Sequence, residues 1–186
     1  IYRDDMQGVC DFVAYLEKDS KAKLYGEPVC WNDNNQVSAD SMYVFFRNEE
    51  IDYVQGFSSA ICIQQYDLLH YNQMSGKEII ALVKDGDVYR VDVNGNAETV
   101  FFPVDEADHT LSGCNRTQSS FVKVYLENRQ VHHVLFTTAT TGTMYPLTQA
   151  GDEVMHLGGF FWAEDERPRV PADVLLTVPR TKRADD

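Results

Sequence analysis

The 186-residue chain predicts an all-β protein of repeated strand-turn-strand units that stack on one another and turn a corner together. Three observations carry this. The stretch VYRVDVNGNAETVFF, Val88 to Phe102, places β-branched and aromatic residues in period-2 alternation on both sides of Asn94-Gly95-Asn96, which reads as strand. An apolar-Ser-small signature recurs as Val37-Ser38-Ala39, Met74-Ser75-Gly76 and Leu111-Ser112-Gly113, 37 residues apart each time. No segment combines apolar residues at i, i+3, i+4 and i+7 with caps, so helices should be scarce.

In chain order, Ile1 to Gln36 holds an apolar run at Phe12–Leu16, the charged break EKDSK, the strand-like KAKLYGEPVCW and an Asn32-Asp33-Asn34-Asn35 turn. The second unit runs from Val37 through SMYVFFR, a polar turn at Asn48-Glu49-Glu50 and IDYVQGFSSAICIQ. The third passes from Met74 through EIIALVK and the turn Asp85-Gly86-Asp87 into Val88–Phe102. The fourth passes from Leu111 through SSFVKVYLE, the turn Asn128-Arg129-Gln130 and VHHVLFTTAT, with an insertion between Ser112 and Val131. Aligning the copies puts the tight turn of the third unit at Asp85-Gly86-Asp87. Gly95 then matches Gly56, a kink in one long strand that brings Phe102 or Phe101 to the interior. Residues 1–147 thus read as a single domain of about four units. Residues 148–186 hold three of the six prolines and the cluster Phe160-Phe161-Trp162, which suits a strap covering an open strand edge, with a disordered TKRADD end.

With 29 acidic against 16 basic residues the net charge is −13, which disfavours binding of nucleic acid through its phosphates. No apolar run is long enough to span a membrane as a helix. The chain opens at Ile1, as a trimmed export product or an excised fragment does. Cys10, Cys30, Cys62 and Cys114 lack CxxC spacing and read as small buried apolar residues, with one disulfide as the alternative.

Candidate chemistry is sparse. His132 and His133 are adjacent on a strand, point to opposite faces and do not suit one metal ion. No family signature surrounds any cysteine as a nucleophile. Asp85-Gly86-Asp87 lacks the further ligands of a calcium loop, and Asn94-Gly95-Asn96 lacks the helix a phosphate loop would open. Asn115-Arg116-Thr117 matches a glycosylation sequon by chance. No catalytic residue, metal site or cofactor is expected. Scattered His, Asp and Glu leave an enzyme acting on glycan or lipid as a third class.

The distinctive feature is the stock of large apolar side chains on successive strands: Val44, Phe46, Ile61, Ile63, Ile80, Leu82, Phe102, Val122, Val124 and Leu135. They are expected either to fill a core or to line an apolar trough between two sheets, where acyl chains would bind at ~0.8 kcal/mol per buried methylene.

The segments LYGEPVCWNDNNQVSADSMYV, HYNQMSG, YRVDVNGNAETVFF, VYLENRQVHHVLF, MYPL and GFFWAEDERP, between about Leu24 and Val174, resemble the OstA-like proteins of Bacteroidetes, relatives of the lipopolysaccharide-transport protein LptA. The resemblance implies an open β-jellyroll of the β-taco type, two sheets folded into a V whose interior shields the acyl chains of lipopolysaccharide. It further implies a non-enzymatic periplasmic bridge module that joins other Lpt-type β-jellyroll proteins, or itself, by end-to-end strand pairing. The alternative is a self-assembling β-repeat module that binds a protein partner and no lipid.

Overall fold

A computed structural model describes residues 1–4, 6–105 and 107–175; the expected disordered TKRADD end lies outside them. Twelve strands form one open, antiparallel sheet. Four long strands make its spine: β7 (Glu50–Gln65), β8 (Tyr71–Lys84), β9 (Asp87–Phe101) and β10 (Cys114–Glu127). Each runs through both arms of a fold that bends at mid-strand. In the first arm the spine is flanked by β2 (Phe12–Leu16), β3 (Lys21–Tyr25) and β6 (Ser41–Arg47) on one side and β11 (Gln130–Thr137) on the other. In the second it is flanked by β1 (Gln7–Val9), β4 (Val29–Asn32) and β5 (Asn35–Ser38), and by β12 (Thr141–Tyr145).

The first arm ends in three two-residue hairpin turns. Asn48-Glu49, Asp85-Gly86 and Asn128-Arg129 all have positive φ, the type I′ geometry that matches strand twist. These are the three turns the aligned copies predict.

The corner is built from bulges and small side chains. Pairing shifts register between Phe57 and Ala60, between Ser75 and Glu78 and between Ser119 and Phe121, while Gly95 adopts φ 77°. Ala60, Gly76, Ala97 and Ser119 bring small residues to this level on the successive strands β7 to β10, and Ala39 stands beside them between β5 and β6. A Cβ on Gly76 would lie 2.6 Å from Val93 Cγ1, so the backbones approach closely because nothing larger stands between them. The predicted stretch is therefore one long strand kinked at Gly95, as the alignment of copies predicts, running from Asp87 to Phe101 with Phe102 just beyond its end.

The third copy of the Ser-small signature does not occupy the predicted place. Asp85 follows Asn48 by 37 residues but Asn128 follows Asp85 by 43, so the extra six residues precede β10. Leu111 makes an isolated bridge with Val104 before that strand, and Ser119 takes the corner position held by Gly76.

The arms enclose one apolar interior, in which Leu24, Met42, Val44, Val54, Ile79, Ala81, Val91, Val93, Val122 and Val124 of the first arm meet Cys30 and Cys62 of the second. The outer face of the second arm is covered as well. Ile61, Ile63, Val100, Phe102 and Cys114 pack there against Ala150 and Leu157, and Val29 and Trp31 against Ala163.

The C-terminal segment crosses this face from β10 to β1 at right angles to the strands, so it covers a sheet face where the sequence pointed to an edge. One row of register partners, Gln7, Trp31, Gln36, Ile63, Gln73, Val100 and Arg116, receives it. Every second strand in most of this row supplies a polar side chain. Arg116 donates to the carbonyls of Glu153 and His156. Gln73 Oε1 accepts from Leu157 N–H at 2.8 Å and its Nε2 donates to Met155 O at 2.7 Å. Gln36 repeats the arrangement with Ala163 N–H and Phe161 O, both at 2.8 Å. Arg167 closes the row on Gln7 Oε1 and Asp33 O. These amides serve the crossing backbone as a neighbouring strand would, which satisfies polar groups that burial would otherwise leave orphaned.

Candidate functional site

Between the arms, toward β9–β11, the interior opens into a cavity of about 270 Å³. The first arm contributes Ala81, Val88, Val91, Val124, Leu126, Val131, Val134 and Phe136; the second contributes Val37, Cys62, Met74, Thr99 and Phe101. Asn32, Asn35, Gln64, Asn72 and Asn115 complete the lining, and no charged side chain takes part. Several amides are already engaged: Asn72 donates to Gln64 Oε1 and accepts from Phe102 N–H, and Asn35 donates to Asn32 O. On the β3–β6 side the interior is closed, with Leu24, Met42 and Val44 fully buried.

The predicted trough residues divide by face. Val44, Val122 and Val124 point into the interior and Phe46 packs against it, with Val124 alone of these lining the cavity. Ile61, Ile63 and Phe102 lie on the opposite face of the second arm, beneath the C-terminal segment. Ile80 and Leu82 flank the interior-facing Ile79 and Ala81 and so stand on the outer face of the first arm. Leu135 is 45% exposed, whereas its neighbours Val134 and Phe136 line the cavity. The cause is the corner. Between Met74 and Ile79 in β8, and between Asn115 and Val122 in β10, the inward set changes from even to odd positions or the reverse, so alternation counted on one arm fails on the other. The signal for Val131, Val134 and Phe136 was present in QVHHVLFT, where the adjacent His132 and His133 mark a break in register opposite Tyr125–Leu126.

The lining favours apolar contact over chemistry. Cys62 borders the cavity, but burial pushes its thiol pKa up to about 12, which keeps it protonated and a poor nucleophile. Burial raises Cys30 to about 12 as well. None of the four cysteines is disulfide-bonded. Among the described residues no cluster of His, Cys, Asp and Glu is placed to hold a metal ion, and no helix is long and apolar enough to cross a membrane.

This fold is shared with a solved structure. The chain is similar in fold to LptH. That protein is the LptA-homologous periplasmic component of the lipopolysaccharide transport device of Pseudomonas aeruginosa; it matches with a TM-score of 0.52 at 14% identity, over 68% of this chain and 80% of LptH. The likeness establishes an open, LptA-like β-jellyroll. No family model matches the chain, and no curated protein matches it in sequence, so the resemblance to OstA-like proteins of Bacteroidetes rests on the sequence segments alone.

Proposed function

We propose that this chain is a non-enzymatic lipid-binding module of a periplasmic lipopolysaccharide transport bridge. The observation that carries the reading is the uncharged, apolar-walled cavity of about 270 Å³ between the arms of an LptA-like fold. Residues 1–147 form the module, and the strap and tail lie in residues 148–186, of which the described strap ends at Leu175. Acyl chains enter between the arms while the charged head group stays outside, consistent with a net charge of −13 and a lining without cations. End-to-end pairing with Lpt-type β-jellyroll proteins, or with a second copy, would use the open edges β2 and β11. The β2 edge presents Phe12, Val13 and Tyr15 to solvent.

A photo-reactive residue at Val134 or Phe136 is expected to crosslink lipopolysaccharide, and one at Ile63, beneath the strap, is not. A folded protein that crosslinks at none of these positions in the presence of lipopolysaccharide would sink the reading. The closed interior on the β3–β6 side favours a second one, a structural module that assembles through its edges and binds no lipid. Filaments forming without lipid, together with absent crosslinks, would support it.

A further inference from the structure

The interior is closed at its β3–β6 end. Beyond the main cavity lies a second space of about 40 Å³, bordered by Met6, Cys30, Ile51 and Val54. The two spaces share Asn32, Val37, Ala81 and Val88 as a partition. Past the smaller space the interior is closed by Leu24, Met42 and Val44, none of which is exposed. An apolar void of about 150 Å³ accommodates one benzene, that is six carbons. By that measure the main cavity, about 270 Å³, admits about ten carbons, and the smaller space one or two more.

We propose that the cavity takes one unbranched acyl chain of about ten carbons, entering from the β11 side and ending at the Ala81–Val37 partition. This rests on the lipid-binding reading and sharpens it. The module is selective for chain length and holds a single chain, where a continuous trough would hold several side by side or pass them through. Three features set the occupant. The volume matches one medium chain, the lining has no charge to meet a head group, and the partition residues fix where the methyl end stops.

The test is calorimetric titration of the whole protein with sodium alkanoates from hexanoate to octadecanoate, each below its micelle concentration. Affinity is expected to rise about fourfold per methylene up to about C10–C12 and then stay level, because further methylenes remain in water. Ala81→Leu fills the floor and should bring the plateau in by about three carbons, while Val37→Ala joins the two spaces and should move it out by about two. Urea midpoints check that each variant is folded; should Ala81→Leu fail to fold, Val37→Ala alone decides the position of the partition. Affinity that climbs without a break to octadecanoate, or a plateau that neither folded variant moves, would overturn the chain-length limit while leaving lipid binding intact if the Val134 crosslink persists. Failure of every alkanoate to bind, together with loss of that crosslink, would remove both.

Discussion

Replacing Gln73 by Met keeps the length of the side chain but removes its amide, and it tests whether the strap is held by this row of polar groups. Leu157 N–H, 2.8 Å from Gln73 Oε1, would lose its acceptor in a place where Leu157 is only 3% exposed. Met155 O would lose the donor now 2.7 Å away. A buried group left without a partner costs about 1–3 kcal/mol, so the two together imply a loss of about 2–6 kcal/mol. With a urea m-value of about 2 kcal/mol per molar, the midpoint should fall by about 1–3 M. Hydrogen exchange supplies the local readout, since Leu157 N–H should lose protection first. Gln36→Met should behave alike through Ala163 and Phe161, and the double variant should lose less than the sum of the singles, because a strap released at one glutamine has little left to lose at the other. A midpoint shift under about 0.3 M with Leu157 exchange unchanged would refute the bridging role.

Two further predictions concern the corner and the thiols. Gly76→Ala should destabilise the fold by about 1–3 kcal/mol through its clash with Val93, read by urea unfolding; a neutral outcome would mean that the arms do not approach as closely as described. At pH 8 a soluble thiol reagent should label native Cys10 and leave Cys30 and Cys62 untouched until denaturant is added, since burial holds both thiols near 12; rapid labelling of all four in the folded protein would contradict the packing.

Much of this was legible in the sequence because the units repeat. The hairpin turns at Asn48, Asp85 and Asn128 announce themselves through residues that tolerate left-handed backbone, as does the kink at Gly95; its counterpart 37 residues earlier is Ser58-Ser59, both at positive φ, and not Gly56 as the aligned copies suggested. The facing of side chains was not. Period 2 is a local rule, and one bulge at Ser75–Glu78 or Ser119–Phe121 is enough to reverse it, which is why Ile79 and Ala81 face inward in place of Ile80 and Leu82. Ile61, Ile63 and Phe102 misled for a different reason. They are as apolar as interior residues because they face a second, smaller core that exists only once the C-terminal segment has crossed over them. A hint did precede the fold: Gln36 and Gln73 stand one repeat apart, each directly before an apolar-Ser pair, and each is buried. Polar residues kept at equivalent buried positions ask for a partner, and here the partner is main chain about 80 to 130 residues further on.

The strap also sets how the molecule yields mechanically. The second arm is stacked, sheet on cross-running chain, and is pinned at Arg116, Gln73, Gln36 and Gln7. The first arm is a single sheet layer over the cavity, with Val131, Val134 and Phe136 on its margin. A laminated plate resists bending more than a single ply, so any widening between the arms is borne by the single layer pivoting about the glycine and alanine corner. The strapped arm acts as the fixed jaw and the β10–β11 margin as the moving one.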